Sequence, residues 1–251
     1  MSRSTSDKVV VFEASGAFAH FKRFYTTSSP TSYALPPRTA LQGMTGAILG
    51  YAREEYLQRL EALQVAVSLR APIRRIRFGT NWIDTKSSYG SQPQSRWQIT
   101  ADAKHKRLPI RVEFLKDVCY RIYVNHPEVA LLDTLESMLQ NNRAVYTPCL
   151  GLSECIAELS YLHTDRIVGS TSGESGEHVS AVPSELMVRN GFSLSDNQGS
   201  QIFKERLPSV MHQDRSVSVY REVIFEVTGK PLHLRTRGAY VLETGEIIAY
   251  L

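Results

Sequence analysis

The sequence is short of the residues that staple secreted domains and build metal centres. It has three cysteines, Cys119, Cys149 and Cys155. Their odd number and the lack of a CxxC pair argue against a disulfide framework and for reduced thiols in the cytoplasm. Seven histidines are scattered, none in an HxxxH pair, so no structural zinc or HExxH site is expected, and no metal or cofactor is implied. No run of about 18 apolar residues occurs, which excludes a membrane-spanning helix. The polar start, MSRSTSDK, lacks the apolar core of a signal peptide. What is present is ordinary for a soluble globular protein: 42% apolar residues, 22% charged, and 251 residues in all, enough to bury a real core in one large or two small domains.

Net charge is only +4, but it is unevenly placed. Between Arg70 and Arg111 there are ten Lys/Arg and two acids, Asp84 and Asp102, so this stretch carries +8 and the rest of the chain −4. Both tryptophans, Trp82 and Trp97, fall inside it, with Phe78 and Tyr89. Cations interleaved with aromatics suit a polyanion with unstacked bases, because phosphates meet the charge and bases meet the rings. A twisted hairpin with solvated arginines is the plainer alternative.

Periodicity predicts the order β-α-β-β-α-β over the first two-thirds. Lys8–Ala14 reads as a buried strand. A capping box of Thr39 and Gln42 starts a helix running to about Val67, with Leu57, Leu60, Leu63 and Val67 on one stripe. Ile76, Phe78, Thr80 and Trp82 alternate with polar residues, as do Leu108, Ile110, Val112 and Phe114, giving two half-buried strands. Lys116-Asp117 is expected to turn into a strand at Val118–Val124. Pro127 opens a second helix with Val129, Leu132, Leu135 and Leu139 inside. A strand around Glu154–Leu162 closes the motif. The polar stretch 85–107 is expected to project as a hairpin, or thumb. Gly169–His178 reads as a flexible loop dividing residues 1–168 from a β-rich region, 169–251. There, Val217–Val227 is a strand candidate, and turns are expected at Thr228–Pro231 and at Glu243–Glu246 before Ile247–Leu251.

The segment after the first strand carries the most specific signal. Phe18, Phe21, Phe24 and Tyr25 alternate with His20, Lys22 and Arg23 in an expected loop, followed by a Pro-Pro turn and a helix with glycine at 43, 46 and 50. Glycine inside a helix costs roughly 1 kcal/mol against alanine, so another backbone or a ligand is expected to come close. The pattern Tyr33, Pro36, Pro37, Thr39, Gly43, Gly50 resembles the N-terminal signature of the Cas-five family, the CRISPR-associated RAMP proteins that cap the 5′ end of the guide RNA in type I surveillance complexes (Cascade). A second motif, the Pro-x-Leu-Gly turn, is matched at Tyr146–Glu154. Its Gly151 either admits RNA backbone or serves a turn that needs φ > 0.

The resemblance, subtype I-B-like, implies an α+β, ferredoxin-like (RRM/RAMP) domain with an inserted β-hairpin thumb and a β-rich C-terminal extension. It implies a non-catalytic RNA-binding subunit that holds the crRNA 5′ handle and joins the Cascade backbone subunit to the large subunit, with target DNA near the PAM met indirectly. The expected RNA contacts are Lys22, Arg23, Tyr25, Tyr33, Arg38, Thr39, Gln42, Gly43, Lys86, Trp97, Lys104, His105, Lys106, Arg107 and Gly151. Helix N-termini and charge-assisted contacts from Arg38, Lys22 and Arg23 supply the physical reason in the first half of that set. One alternative is a metal-independent endoribonuclease that processes pre-crRNA, with His105 as base, Lys104 on the phosphorane, and Tyr25 or Tyr33 approaching. The same subunit in a transposon-associated Cascade is another.

Overall fold

The computed structural model of the chain describes residues 6–26, 29–83 and 107–251. In chain order the strands are β1 (Lys8–Ala19), β2 (Phe21–Lys22) and β3 (Ser32–Tyr33), then helices α1 (Arg38–Leu49) and α2 (Tyr56–Arg59). Next come β4 (Gln64–Leu69), β5 (Arg75–Ile83), β6 (Arg107–Asn125), α3 (Val129–Gln140) and β7 (Glu158–His178). The remainder is β8 (Val182–Pro183), β9 (Met187–Phe192), β10 (Ile202–Met211), β11 (Val217–Glu226), β12 (Leu232–Leu242) and β13 (Ile247–Ile248). The fold is a sheet-dominated α+β arrangement. No helix among the described residues is long and apolar enough to cross a membrane.

The valine-rich β1 is central because both of its faces are apolar. It pairs antiparallel with β6 on one side and β7 on the other, and β4 pairs antiparallel with β6, so the strands lie in the order β4-β6-β1-β7. Val10, Phe12 and Ala14 share one core with Leu41 and Ile48 of α1 and with Leu132, Leu135 and Leu139 of α3. Val9 and Val11 point the other way, where, with Ala66 and Tyr123 of the neighbouring strands, they are covered by Leu242, Ile248 and Tyr250. The C-terminal residues therefore form the second layer of the sheet. Leu251 N–H donates to the Val65 carbonyl at 2.9 Å, pinning that layer to β4. The hairpin β10–β11 adds Leu207, Val223 and Phe225 to the first core, beside α1.

Several elements differ from the sequence-based expectation. The helix does not run to Val67. It ends at Gly50, whose φ of 82° gives a left-handed cap, and Val65 and Val67 pair with Val124 and Ile122 as strand β4. Leu57, Leu60 and Leu63 are buried all the same, from the short α2 and the turn after it. The helix starts at Arg38 with Pro37 as N-cap and no side-chain cap bond, so the Thr39/Gln42 capping box is not formed. The expected loop from Phe18 is in part strand, since Phe18 pairs with Lys116 and Ala19 with Leu115. Lys116-Asp117 makes no reversal. β6 is one strand of 19 residues, in which Asp117 takes a positive φ of 52° and the pairing with β1 continues. Val129 is exposed, and Leu131 takes the core position beside Leu132. Gly169–His178 is not a loop. β7 runs through it for 21 residues, pairing first with β1 and then with β12. Its serines and glutamates face outward, while Thr171 and His178 point inward, each within hydrogen-bond distance of the Thr236 hydroxyl on β12. The β11 strand and the turn between β12 and β13 are found where expected. Residues 84–106, hence most of the expected thumb, lie outside the described residues; the flanking strands β5 and β6 pair antiparallel, Arg75 with Leu115 and Ile83 with Arg107.

Candidate nucleic-acid interface

Strict alternation along β5 and β6 gives their hairpin two chemically different faces. Ile76, Phe78 and Trp82 lie on one face and retain 37–39% exposure, with Phe78 stacked on Phe114 at 4.5 Å. Arg75, Arg77 and Gly79 lie on the other, opposite Leu115, Glu113 and Arg111. Between this second face and residues 29–31 opens a cleft of about 630 Å³ lined by Pro30, Thr31, Arg77, Gly79, Arg111 and Glu113. Glu113 is the organising group. Its carboxylate is buried, pairs with Arg75 at 2.7 Å and Arg77 at 2.8 Å, and accepts the Ser32 N–H at 3.3 Å. Burial opposes ionisation, but the two guanidiniums and the N–H hold the carboxyl below its ordinary value.

The basic stretch is therefore less bare than its composition suggests. Arg70 meets Glu13 at 3.6 Å, Arg74 meets Asp117 at 3.7 Å, and Arg75 and Arg77 share Glu113. Among the described residues Arg111 alone of the arginines at 70, 74, 75, 77 and 111 has no carboxylate partner, and it points a whole charge at the cleft.

The structure separates the sequence-predicted residues into two groups. Lys22 is exposed on β2, and Tyr25 is 59% exposed. Both face solvent. Tyr33 does not: it is 2% exposed, and burial pushes its hydroxyl up to about 12. Arg23 is committed internally, to the Glu205 carboxylate, the Ser32 carbonyl at 3.1 Å and the Tyr25 hydroxyl at 2.9 Å. Arg38 turns away from the helix end and donates to the carbonyls of Glu61 (2.7 Å), Leu63 (2.8 Å) and Ser209 (3.1 Å). Gln42 is buried and donates to the Leu60 carbonyl at 2.8 Å. Arg38 and Gln42 thus fasten α1 to the turn before β4.

The glycines divide likewise. A Cβ on Gly46 would lie 2.9 Å from Tyr56, and one on Gly50 2.9 Å from Val145, so there the close approach is real and made by protein. A Cβ on Gly43 would find nothing nearer than the Tyr56 hydroxyl at 3.9 Å, and no protein packing forces glycine there. Gly151 has φ 97° and its Cβ would lie 2.0 Å from the His20 carbonyl oxygen. The close approach at this turn comes from the chain's own backbone, fixed by His20 N–H donating to Leu150 at 3.0 Å. Thr39 is half-buried at the helix start. Lys86, Trp97, Lys104, His105 and Lys106 lie outside the described residues, and Arg107 is described only through its backbone pairing with Ile83.

Sequence reasoning missed Glu113, Glu205, Arg206 and Tyr220. Phe24 was visible in its aromatic run, but its contact with Tyr220, ring centroids 4.9 Å apart, joins positions nearly 200 residues apart, and no local pattern carries that.

The profile of one protein family, described as CRISPR-associated protein (Cas_Cas5), matches residues 9–224. No protein of curated function matches the sequence. Among solved structures, "CRISPR RNA-guided surveillance complex" is similar with a TM-score of 0.53 and 17% identity, covering 90% of this chain and 91% of that one. "Crystal structure of a CRISPR protein from Archaeoglobus fulgidus" is similar with a TM-score of 0.51 and 11% identity, covering 96% and 97%. At these identities the two structures speak for a shared fold.

Proposed function

Because the chain belongs to the CRISPR-associated protein (Cas_Cas5) family, we propose that it is a non-catalytic RNA-binding subunit of a type I Cascade, subtype I-B-like. In this reading it works in the cytoplasm, in antiviral defence, holds the crRNA 5′ handle, and links the backbone subunit to the large subunit near the PAM of target DNA. The order β4-β6-β1-β7 with both longer helices on one face supports a ferredoxin-like, RRM/RAMP core in residues 1–168. The amphipathic β5–β6 arms support a thumb at about 85–107, and residues 169–251 are assigned to the extension.

The observation that carries the proposal is the cleft beside the β5–β6 arms. Arg111 supplies a charge that meets no carboxylate among the described residues, Arg77 a partly compensated one, and Gly79 has no side chain to obstruct an approaching backbone. That is the inventory a phosphodiester strand needs. The endoribonuclease reading loses one of its two tyrosines, because Tyr33 is buried in the core.

Sequencing the RNA that co-purifies with the full chain tests the assignment. Repeat-derived guide RNA is expected, and precursor guide RNA incubated with the protein in EDTA should stay intact. Specific cleavage at the repeat, abolished by His105→Ala, would replace the binding subunit by a nuclease.

A further inference from the structure

A second aromatic surface lies where the N-terminal loop meets the C-terminal hairpin. Phe24 and Tyr25 are each about 60% exposed, and their rings meet edge to face at 5.1 Å. Phe24 also packs on Tyr220 of β11 at 4.9 Å, and the Arg206 guanidinium sits 4.8 Å over the Tyr220 ring. Exposing two large aromatics side by side is costly in water, yet this pair is held in place. Tyr25 accepts a hydrogen bond from Arg23, which is itself fixed by the buried Glu205 carboxylate.

The cation in this group is also unusual. Arg206 stands directly across the β10–β11 ladder from Glu222, the partner that would ordinarily neutralise it. Glu222 instead pairs with Lys204 at 2.5 Å, and among the described residues Arg206 meets no carboxylate. Its guanidinium face is occupied by Tyr220, while its N–H edges have no protein acceptor among the described contacts. Lys22, two residues before Phe24, is exposed too. Aromatic faces fixed beside uncompensated cations suit a single-stranded nucleic acid, in which a splayed base stacks and the adjoining phosphate meets the guanidinium. An acidic or apolar protein surface would use one half of this arrangement and leave the other half unmatched.

We infer that Phe24, Tyr25 and Tyr220 form a platform for one unpaired base of single-stranded RNA, with Arg206 on the neighbouring phosphate. The C-terminal β10–β11 hairpin thereby becomes part of the RNA path instead of a structural appendage. The inference rests on the RNA-binding reading above, and the experiment separates the two.

The probe is a set of short single-stranded RNAs, of the sequence recovered with the protein, carrying 2-aminopurine at successive positions, and a matching set with an abasic residue. With the full-length wild type, fluorescence should be quenched at one position. Phe24→Ala and Tyr220→Ala should relieve that quenching and weaken binding by about 5- to 150-fold, the range reported for loss of one base–aromatic stack. Tyr220→Phe should behave as wild type, and both alanine variants should lose no further affinity for the RNA that is abasic at that position. Arg206→Ala should lower the salt slope by about 0.7. If the alanine variants bind and quench like wild type, the platform is wrong while RNA binding stands. If folded wild type binds none of these RNAs, the RNA-binding reading falls and the platform falls with it.

Discussion

Single residues here carry roles that their chemistry alone does not disclose. Lys22 and Arg38 are both cations near the start of α1, yet one faces solvent and the other is spent on carbonyls of Glu61, Leu63 and Ser209. Arg38→Ala should therefore destabilise the fold by about 1–3 kcal/mol in urea melts, since it removes the charged donor from the partly buried carbonyls of Leu63 and Ser209. Lys22→Ala should leave the melt within about 0.5 kcal/mol and instead reduce the salt dependence of RNA binding. His178 is one source of acid sensitivity. It is buried, with Nε2 3.2 Å from the Thr236 hydroxyl, and burial lowers its pKa to about 4. The unfolded chain takes up that proton near pH 6.5 and the folded one only near 4. The contribution of this group to stability is thus whole above pH 6.5 and is lost, by about 3 kcal/mol, as the pH falls to 4. In denaturant titrations across that window, His178→Gln should flatten the decline.

At the scale of elements, α1 shows which of its glycines the protein itself requires. Gly43→Ala should keep or raise the melting temperature, because the added Cβ has room and helix propensity improves by up to about 1 kcal/mol. Gly46→Ala should lower it, as the Cβ lies 2.9 Å from that of Tyr56. Should folded Gly43→Ala lose RNA affinity, the ligand lies on that face of the helix. Gly151→Ala, with φ 97° and the His20 carbonyl in the way, is expected to be the most disruptive of the three. Thermal melts beside RNA titrations check all of these. The strand β7 makes a related point. Its serine- and glycine-rich half has the composition of a loop, and extended structure is stable there because β12 supplies the ladder and Leu232 and Leu234 the buried face.

For the whole molecule, the last five residues are a structural layer. Ile248, Ala249, Tyr250 and Leu251 are buried; Ile248 and Tyr250 cover Val9, Val11 and Tyr123, Ala249 packs with Val182 and Leu232, and Leu251 joins the main core. Ending the chain at Glu246 should cost about 5 kcal/mol or more at 1.5–3 kcal/mol per large buried side chain. Urea denaturation and binding of a hydrophobic dye to the uncovered sheet would measure it. Full retention of stability would mean that the second layer is dispensable.

The sequence by itself determined the family, through Tyr33, the Pro36-Pro37 turn and the spaced glycines, and it determined most strands, because alternation and β-branched runs are local properties. Lys22 and Tyr25, expected as RNA contacts, are exposed. The tertiary structure decided the rest. Which arginines keep their charge depended on where Glu13, Glu113 and Glu205 arrived. Where α1 stops and β4 starts depended on β6 offering a ladder to Val65 and Val67. The joining of Phe24 to Tyr220 depended on a hairpin nearly 200 residues downstream folding back beside the N-terminal loop. Ion pairing, strand pairing and aromatic contact are relations between distant positions, so a reading of local pattern does not contain them.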